Sequence, residues 1–421
     1  MTAFQIERAG PLSGTVPVQG SKNTILPILA ASLINPGKTV LHNVPRIRDV
    51  ENMVSLMREI GCRVIWEKRT LTIDAEKIRC GCLPKEAAVS MRSSINLLAP
   101  LLVRCGCVEM NLPGGCSLGK RPIDLHLHAL ERMGAAITIE DDQIHARASG
   151  FRGAEICFRF PSVGATQQAL TAAAAAEGET RIMNAAREPE VVQLCCFLKE
   201  MGITVRGEGT SMIQVTGSAN RKPVEFHICA DRIVAATCMS AVAVCGGSAY
   251  LAGVRAPEME GITAPFMEMG CEAVFDPSGL RISRTGTLKP ISYIETKPYP
   301  GFPTDVQSLL LAVLTQADGQ SVVKENVFEA RFRAAYQLQK MGADIIIDNN
   351  CAMIRKSRLK GTLVEAPDLR GGAALVIAGL AAEGTTYITG CEHISRGYED
   401  LAGMLRQLGV VGAVLTETEL L

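Results

Sequence analysis

The sequence predicts an α/β (α+β) fold in which two domains each contain three copies of a βαβαββ unit. Three observations support this prediction. A helix pattern that ends in glycine recurs about every 70 residues along the 421-residue chain. A hairpin pattern of alternating apolar residues follows each of these glycines. An apolar helix and a short strand precede each glycine-ended helix, so the same elements recur six times.

The second helix of each unit ends in a segment such as ALERMG or QLQKMG. A residue in the left-handed conformation closes the last turn of many helices, and glycine adopts this conformation without steric cost. The six terminal glycines are Gly61, Gly134, Gly202, Gly270, Gly342 and Gly409. We expect each of them just after the helix end, directly before the hairpin.

The first helix of each unit is apolar on nearly all faces, as in SKNTILPILAASLI and PTDVQSLLLAVLTQ. A helix of this kind is buried inside a domain rather than placed on its surface. We therefore expect a cluster of helices enclosed by outer sheets, which is the architecture of a two-domain inside-out α/β barrel. One domain is predicted to contain residues 22–229, and the other combines residues 1–21 with residues 230–421. The sixth unit is truncated, so the first residues are expected to supply the strand that completes it.

Composition narrows the functional classes. The chain has 43 basic and 43 acidic residues, so no net charge attracts it to nucleic acid or to an anionic membrane. Its most apolar run, 169–176, is shorter than the ~20 residues that span a bilayer, and the first ten residues lack the apolar stretch of a signal peptide. We therefore predict a cytoplasmic protein that binds neither nucleic acid nor membrane, and no obligate protein partner is evident.

The 15 cysteines are expected to be reduced thiols, because no signal peptide accompanies them. The CGC segments at 80–82 and 105–107 have one-residue spacing, which is shorter than the spacing of zinc knuckles. The histidines form no HExxH pair. The sequence therefore predicts no metal site and no cofactor.

Cationic residues lie at the starts of the buried helices and in the loops before the second helices. Helix N-termini attract anions through unpaired N–H groups, and arginine pairs with phosphate or carboxylate through two hydrogen bonds. The cations at these equivalent positions are Lys22, Arg92, Arg121, Arg331, Arg370 and Arg396. This pattern predicts a site for phosphates or carboxylates in a cleft between the two domains.

The segment NLPGGCSLGKRPID places Cys116 between a glycine pair and two cations. It departs from a nucleotide-binding P-loop at Arg121, where magnesium binding requires Ser or Thr, so a nucleoside triphosphatase is rejected. The glycines permit close approach to a ligand, and the cations stabilise a thiolate. From the residues alone, Cys116 is either a reactive thiol or a loop cysteine without a role.

Other candidates also have two interpretations. Lys22 and Asn23 in GSKN could cap a surface helix, but the strongly apolar helix that follows favours a functional role. Asp305 in GFPTDVQ, and likewise Asp124, could act on a ligand or simply stabilise the dipole of the helix that it begins.

Several stretches together resemble the enolpyruvyl transferase family, and in particular its branch that acts on UDP-N-acetylglucosamine. They are LPGGCSLGKRPIDLH, GSKNTILPILAASL, SVGAT, NAAREPE, GFPTDVQ, FEARF, DLR and HISRGYE, and the resemblance covers essentially the whole chain. It implies transfer of the enolpyruvyl group of phosphoenolpyruvate to the 3′-hydroxyl of UDP-N-acetylglucosamine, with release of phosphate, as the first committed step of peptidoglycan synthesis. It also implies two domains of three repeats that close over the substrates.

The resemblance implies a role for each matching residue. Cys116 is implied as the general acid that protonates the methylene carbon of phosphoenolpyruvate and can form a covalent adduct, and Asp305 as the candidate base. Lys22, Arg121 and Arg396 are implied to hold the phosphate and carboxylate. Arg92, Arg331 and Arg370 complete the cationic site. The residues implied to contact the UDP-sugar are Asn23, Arg121, Pro122, Ile123, Asp124, Leu125, Ser162, Val163, Gly164, Asp305 and Val327.

Two alternatives remain. The related 3-phosphoshikimate 1-carboxyvinyltransferases share the sixfold architecture but do not depend on a GGC loop. A repeat protein that binds a nucleotide-sugar without turnover is disfavoured, because Lys22, Cys116, Asp305 and Arg396 occur together. The chain departs from the family pattern at positions that are not implied in the chemistry, which leaves a divergent paralogue open. These positions are Gln167, Gln168, Val234, Gly371 and Gly372.

Overall fold

The computed structural model describes residues 2–79, 91–113 and 122–417, which form a mixed α/β protein with two compact units. The continuous unit contains the described residues of 20–229. The discontinuous unit combines residues 2–19 with residues 230–417. Each unit has its own cluster of buried apolar side chains. In the described part of the chain, no helix is both long enough and apolar enough to cross a membrane.

The strands are short and lie in both units. In chain order they are β1 (Thr2–Glu7), β2 (Leu12–Pro17), β3 (Lys38–His42), β4 (Arg63–Glu67), β5 (Thr70–Asp74), β6 (Cys107–Asn111), β7 (Ala136–Glu140), β8 (Gln143–Arg147), β9 (Glu155–Cys157), β10 (Glu179–Met183), β11 (Thr204–Arg206), β12 (Met212–Thr216), β13 (Val224–His227), β14 (Gly247–Ala252), β15 (Glu272–Asp276), β16 (Gly279–Arg284), β17 (Ile294–Glu295), β18 (Gln320–Lys324), β19 (Asp344–Asp348), β20 (Cys351–Arg355), β21 (Leu363–Glu365), β22 (Thr385–Thr389) and β23 (Ala413–Glu417).

The helices alternate with these strands. In chain order they are α1 (Lys22–Ser32), α2 (Arg48–Glu59), α3 (Leu98–Cys105), α4 (Asp124–Arg132), α5 (Val163–Ala173), α6 (Pro189–Glu200), α7 (Arg232–Cys245), α8 (Thr263–Glu268), α9 (Thr304–Leu314), α10 (Arg333–Lys340), α11 (Leu369–Gly379), α12 (Cys391–Ile394) and α13 (Leu401–Gln407). Short 3₁₀ segments cover Arg92–Leu97, directly before α3, and Ala256–Glu258.

The described strands form six separate open sheets, and none of these sheets closes into a barrel. In the sheet β9-β10-β12-β11, β9 is parallel to β10, and β12 pairs antiparallel with both β10 and β11. The same order recurs in β13-β3-β5-β4, β2-β14-β16-β15 and β17-β18-β20-β19. The described residues of the sheet β6-β8-β7 supply three of the four positions.

The N-terminal strand completes the sixth repeat, as the sequence predicts. In the sheet β21-β22-β1-β23, β1 occupies the position that the second hairpin strand holds in the other sheets. It pairs antiparallel with β22, where Ile6 is opposite Thr386, and with β23, where Ile6 is opposite Ala413. The first and last strands of the described chain therefore share one sheet.

The helix ends confirm the predicted positions of the terminal glycines. All six terminal glycines have positive φ, from 88° at Gly409 to 105° at Gly134, which is the conformation that favours glycine. Four of the first helices begin at a capping side chain, because Ser21, Ser162, Asp231 and Asp368 each accept a hydrogen bond from an N–H group in the first helical turn.

The first helices of the repeats are buried along nearly their whole length, as their apolar sequences predict. In the discontinuous unit, α7, α9 and α11 pack against one another. α9 and α11 carry Asp305 and Arg370 in their first turns, so the helix packing brings these two predicted site residues together.

The cysteines differ in one respect from the prediction. Eleven of the described cysteines are free thiols, but Cys105 at the end of α3 is disulfide-bonded. The expectation of reduced thiols throughout is therefore wrong for Cys105. Cysteine spacing along the chain does not show which sulfur atoms the fold brings together.

Candidate active site

Two of the predicted site residues, Cys116 and Arg121, lie outside the described residues. The other predicted residues fall into groups in both units. Asp305, Val327, Arg331, Arg370 and Arg396 belong to the discontinuous unit. The predicted residues of the continuous unit are Lys22, Asn23, Arg92, Pro122, Ile123, Asp124, Leu125, Ser162, Val163 and Gly164.

Asp305 is held by two guanidinium groups. It lies in the first turn of α9, and its Oδ1 accepts a hydrogen bond from Arg331 Nη2 at 2.8 Å. Its Oδ2 accepts one from Arg370 Nη2 at 3.2 Å. The Asp305 side chain is 27% exposed, whereas the Arg331 and Arg370 side chains are 1% and 4% exposed. A ligand can therefore reach the carboxylate, while both cations are buried behind it.

Arg331 is fixed by further contacts. Its Nε donates to the carbonyl oxygen of Thr304, 3.2 Å away, at the start of α9. Its guanidinium carbon lies 5.8 Å from the centroid of the Phe328 ring. The Thr304 carbonyl, the Asp305 carboxylate and the Phe328 ring restrict the guanidinium group of Arg331. The group is therefore preorganised to stabilise an anion.

Arg370 begins the buried helix α11. The Oδ1 of Asp368 caps this helix, because it accepts the N–H groups of Arg370 and Gly371 at 2.9 and 3.0 Å. Burial by itself lowers the pKa of Arg370, but the surrounding groups, with Asp305 first among them, raise it overall. The guanidinium therefore remains charged although it is buried.

Tyr398 packs beside Arg370. The centroid of its ring lies 6.0 Å from the guanidinium carbon of Arg370. Its hydroxyl oxygen is 2.8 Å from Oγ1 of Thr237 on α7. Burial raises the pKa of Tyr398, although the charge of Arg370 opposes the shift. The phenol therefore stays neutral and joins α7 to the cationic site.

Glu325 organises the loop that contains Val327. Its Oε1 accepts the N–H groups of Val327 and Phe328 at 2.7 and 3.0 Å, and the hydroxyl of Thr296 at 2.9 Å. Its Oε2 accepts the hydroxyl of Thr304 at 3.0 Å. The buried carboxylate of Glu325 thus holds Val327, which is predicted to contact the UDP-sugar, close to Thr304, the residue before Asp305.

Arg396 lies in the turn between α12 and α13, and its side chain is half-buried. Its backbone N–H donates to the carbonyl oxygen of His393 at 3.4 Å. Tyr398 follows two residues later, so the turn that bears Arg396 is continuous with the residue beside Arg370.

Lys22 forms a buried ion pair in the continuous unit. It is the first residue of α1, after the cap Ser21, whose Oγ accepts the N–H of Thr24 at 3.3 Å. The Nζ of Lys22 lies 2.7 Å from Oδ2 of Asp49 in the first turn of α2, and both side chains are buried. Burial of an ammonium group requires such a partner. Asn23 is half-buried beside this pair.

Asp124 and His126 lie in the first turn of α4 and differ in exposure. Oδ2 of Asp124 accepts a hydrogen bond from Arg159 Nη2 at 2.5 Å, and these side chains are 42% and 72% exposed. His126 is buried. Burial, followed by the positive charge of Arg92, lowers the pKa of His126 to about 4, although Asp124 opposes this shift. The imidazole is therefore neutral near pH 7.

The turn formed by Ser162, Val163 and Gly164 packs directly on this histidine. A Cβ atom built on Gly164 would lie only 2.5 Å from Nε2 of His126. Ser162 caps α5, and its carbonyl oxygen accepts the hydroxyl of Thr166 at 2.8 Å. The fold therefore brings the starts of α4 and α5 together around a neutral ring, with Arg92 near enough to affect its pKa.

The chemistry of these groups suits anions rather than metals. Among the residues that the structure describes, no group of three or more His, Cys, Asp or Glu side chains could hold a metal ion. The discontinuous unit instead supplies two buried guanidinium groups beside a reachable carboxylate. Such a set can bind an anion and accept a proton from a hydroxyl group next to it.

Sequence reasoning missed Asp49, His126, Glu325 and Tyr398. The sequence does not distinguish Asp49 as the partner of Lys22, because an acid in the first turn of a helix usually stabilises the helix dipole. His126 belongs to no metal-ligand pattern in the sequence, so only its burial in the fold marks it. Glu325 and Tyr398 each lie two residues from a residue that the family resemblance implies, Val327 and Arg396, and no pattern in the sequence marks them.

Comparison with known proteins adds the family context. A family model described as EPSP synthase (3-phosphoshikimate 1-carboxyvinyltransferase) matches residues 6–405. A protein named UDP-N-acetylglucosamine 1-carboxyvinyltransferase from Finegoldia magna is 43% identical over 97% of this chain and 98% of its own. A protein of the same name from Chlorobium chlorochromatii is 42% identical over 97% of each chain.

Solved structures share the fold. The enolpyruvyl transferase NikO from Streptomyces tendae has a TM-score of 0.86 and 23% identity, over 99% of this chain and 98% of its own. An EPSP synthase from Acinetobacter baumannii has a TM-score of 0.77 and 20% identity, over 99% of this chain and all of its own. At these identities the likeness concerns the two-domain α/β fold alone.

Proposed function

The chain belongs to the enolpyruvyl transferase family, and on that premise we propose that it is a UDP-N-acetylglucosamine 1-carboxyvinyltransferase. It transfers the enolpyruvyl group of phosphoenolpyruvate to the 3′-hydroxyl of UDP-N-acetylglucosamine and releases phosphate. The observation that carries this proposal is the identity of 43% to a relative of that name over nearly the whole length of both chains. The reaction is the first committed step of peptidoglycan synthesis.

The reaction needs an acid and a base but no redox group. The 3′-oxygen of the sugar forms a bond to C2 of phosphoenolpyruvate, and a proton adds to C3, which gives a tetrahedral intermediate. Cleavage of the bond between C2 and the phosphate oxygen, with loss of a proton from C3, then forms the enolpyruvyl ether. The C3 proton returns to its donor, and the hydroxyl proton leaves with the phosphate. No cofactor is consumed.

The discontinuous unit is suited to the anionic substrate. We assign Arg331, Arg370 and Arg396 to the phosphate and carboxylate of phosphoenolpyruvate. The first two are buried and fixed, so they stabilise an added negative charge without reorganising. Asp305 is assigned to the sugar hydroxyl as the base, because it is the reachable carboxylate of this cluster.

The continuous unit is suited to the UDP-sugar. Asp124, Ser162 and Gly164 lie around the neutral ring of His126. No side chain of the described residues caps the start of α4, and such N–H groups at a helix start attract phosphate. We assign Asn23 and the segment 121–125 to the same ligand, together with Val327 of the discontinuous unit, as the family resemblance implies. Arg92 is assigned to the cationic site for the phosphate and carboxylate. Lys22 is assigned to phosphoenolpyruvate, with Asp49 as the partner that holds its ammonium group.

Cys116 is assigned as the general acid, with Arg121 as a further cation. Both assignments rest on the segment LPGGCSLGKRPIDLH. The division into two domains of three repeats, with helices enclosed by sheets, is also a proposal. It is supported by the repeated strand order and by the burial of the first helices. Location in the cytoplasm and independence of a protein partner remain predictions.

Release of phosphate from phosphoenolpyruvate tests the proposed function. We expect release with UDP-N-acetylglucosamine as acceptor and only background release with shikimate 3-phosphate. Release with shikimate 3-phosphate alone would instead support the related activity, which the name of the matching family model also describes. Binding of both proposed substrates without release in either reaction would support a non-catalytic nucleotide-sugar-binding protein.

Substitution of Cys116 tests its assigned role separately. We expect Cys116→Ser to lose turnover and Cys116→Asp to retain it, because a carboxyl group can still donate a proton while a hydroxyl is a much weaker acid. An epoxide that alkylates thiols should inactivate the native protein but not the aspartate variant. Cys107 and Cys157 are exposed, so a Cys107→Ser/Cys157→Ser variant is the control and should remain sensitive. Unaltered turnover in Cys116→Ser would remove the cysteine from the acid role.

A further inference from the structure

Gln19, the last residue before the chain enters the continuous unit, contacts the turn that bears Arg396. We propose that Gln19 is a positioning residue for Arg396, and that it acts by fixing the backbone of residues 396–399. The inference rests on the proposed function, because that function assigns Arg396 to the phosphoenolpyruvate anion. Gln19 itself contacts backbone atoms rather than a reacting group.

Both polar atoms of the Gln19 side chain bind this turn. Its Nε2 donates to the carbonyl oxygen of Gly397 at 3.0 Å, and its Oε1 accepts the N–H of Glu399 at 2.9 Å. The two bonds bracket Tyr398 and follow directly after Arg396. The Gln19 side chain is buried, so water competes weakly for these bonds.

The turn is held from its other side as well. The Tyr398 side chain is buried, and its hydroxyl reaches Thr237 at 2.8 Å. A Cβ atom on Gly397 would lie 2.7 Å from Cδ2 of Leu369, so the turn packs closely against the start of α11. One tightly packed turn is therefore held in two ways. Gln19 binds its backbone, and the side chain of Tyr398 anchors it to Thr237.

Gln19 is itself anchored to the cationic cluster. Its carbonyl oxygen accepts the N–H of Asp231 at 2.8 Å. The Oδ1 of Asp231 caps α7 by accepting the N–H groups of Ile233 and Val234. Asp231 also contributes to the raised pKa of Arg370. A single residue thus joins the start of α7 to the turn of Arg396, so its loss should shift that turn relative to the buried cations.

The geometry requires an amide, because one atom must donate and the other must accept. In Gln19→Glu the donor to the Gly397 carbonyl is lost, and a carboxylate oxygen faces that carbonyl. Displacement of a substrate-positioning group by about 1 Å can cost about 100-fold in rate. We therefore expect Gln19→Glu and Gln19→Ala to lower kcat/KM for phosphoenolpyruvate about 10- to 100-fold. KM for UDP-N-acetylglucosamine should change less than about twofold.

The matched control is Gln339→Ala. Gln339 lies on α10 in the same unit, and its Nε2 donates to the carbonyl oxygen of Ile345 at 2.7 Å. This variant also removes a glutamine-to-backbone bond, but the bond is to the hairpin strand β19 rather than to an assigned residue. We expect its kinetic constants to match those of the wild type. An equal loss in Gln339→Ala and Gln19→Ala would overturn the inference, because the loss would then reflect general weakening of the fold.

A double variant shows whether Gln19 acts through Arg396. If it does, Gln19→Ala should cause little further loss of kcat/KM in the Arg396→Ala background. If the two losses multiply fully, the residues act independently and the inference is wrong.

Hydrogen exchange tests the contact without turnover. The Glu399 amide should exchange faster in Gln19→Ala than in the wild type, and Gln339→Ala should leave it unchanged. Unchanged exchange in Gln19→Ala would overturn the inference whatever the kinetics show. Absence of phosphate release by the wild-type protein would instead refute the proposed function, and the exchange result would still decide whether Gln19 holds the turn.

Discussion

The candidate sites of the two units differ in the charge state of their buried groups. In the discontinuous unit, the buried guanidinium groups of Arg331 and Arg370 surround the carboxylate of Asp305. In the continuous unit, the residues at the starts of α4 and α5 surround His126, which is kept neutral by burial. At the first site the raised pKa of Arg370 keeps a buried group charged, whereas the second site requires a titratable group to stay uncharged. The difference predicts that the two units respond differently to substitution and to pH.

The largest effect is expected from Asp305→Ala. It leaves the buried guanidinium groups of Arg331 and Arg370 without the carboxylate that both contact. Loss of one partner from a buried ion pair typically costs 3–5 kcal/mol, so the unfolding free energy of the discontinuous unit should fall by about 3 kcal/mol. The shift in the urea unfolding transition measures this loss, and phosphate release should fall to background.

Asp318→Ala is the control for Asp305→Ala. Asp318 forms an exposed ion pair with Lys356 in the same unit, with an Oδ1–Nζ distance of 3.1 Å. Exposed pairs contribute about 1 kcal/mol or less. Equal costs for the two variants would show that the Asp305 cluster is not a buried network.

The second effect concerns pH and the continuous unit. His126 has a pKa of about 4 in the fold, compared with about 6.5 in an unfolded chain, so the unfolded state binds the proton more tightly. The neutral His126 ring makes its full contribution to the free energy of unfolding above pH 6.5, and this contribution is lost as the pH falls toward 4. This change amounts to about 3 kcal/mol.

The pH dependence of thermal unfolding measures this effect. The wild-type midpoint should fall between pH 6.5 and pH 4 by more than that of His126→Gln, which cannot titrate at this position. Parallel pH profiles for the two proteins would contradict the assignment of a neutral buried histidine.

The third effect comes from Gly164→Ala. The new methyl carbon would lie 2.5 Å from Nε2 of His126, so either the ring or the start of α5 must move. Overpacking of this kind costs about 1–3 kcal/mol. We expect a lower unfolding midpoint together with a higher KM for UDP-N-acetylglucosamine. His126→Ala in the same chain should relieve the clash, and additive losses in the double variant would argue against direct contact.

The smallest effect is expected from Arg159→Ala. Its pair with Asp124 is exposed, although the two atoms are only 2.5 Å apart. Surface pairs of this kind are worth about 0.2–1 kcal/mol and weaken as salt is added. The unfolding midpoint should therefore change little, and any difference from the wild type should shrink at high salt. A larger loss would show that the continuous unit also depends on an ion-pair network.

Much of the fold could be predicted because its signals are local and repeated. Glycine after each second helix determines the helix end, and the alternating residues that follow determine a hairpin. The apolar sequences of α7 and α11 show that these helices are buried. The truncated sixth unit even indicated where β1 would pair, because an incomplete sheet needs a partner strand.

The partners of individual side chains could not be predicted in the same way. The position of Asp305 at the start of a helix was compatible with a role in stabilising the helix dipole. Its contact with Arg370, 65 residues away, depends on the packing of α9 against α11. The contact of Gln19 with Gly397 spans 378 residues, and no local pattern marks it. The sequence repeats predict at which helix ends functional residues lie, but tertiary packing decides which side chains contact one another.

The place of β1 in the sixth sheet has a consequence for biosynthesis. β1 ends at Glu7, but its partner β22 begins only at Thr385. At a synthesis rate of about 5–20 residues per second, the strand is exposed to solvent for roughly 20–80 s before its partner exists. The continuous unit can fold on the ribosome during that time. The discontinuous unit must keep its first strand unpaired until nearly the whole chain has been translated, so the nascent protein is most vulnerable to aggregation and chaperone capture at its N-terminal end.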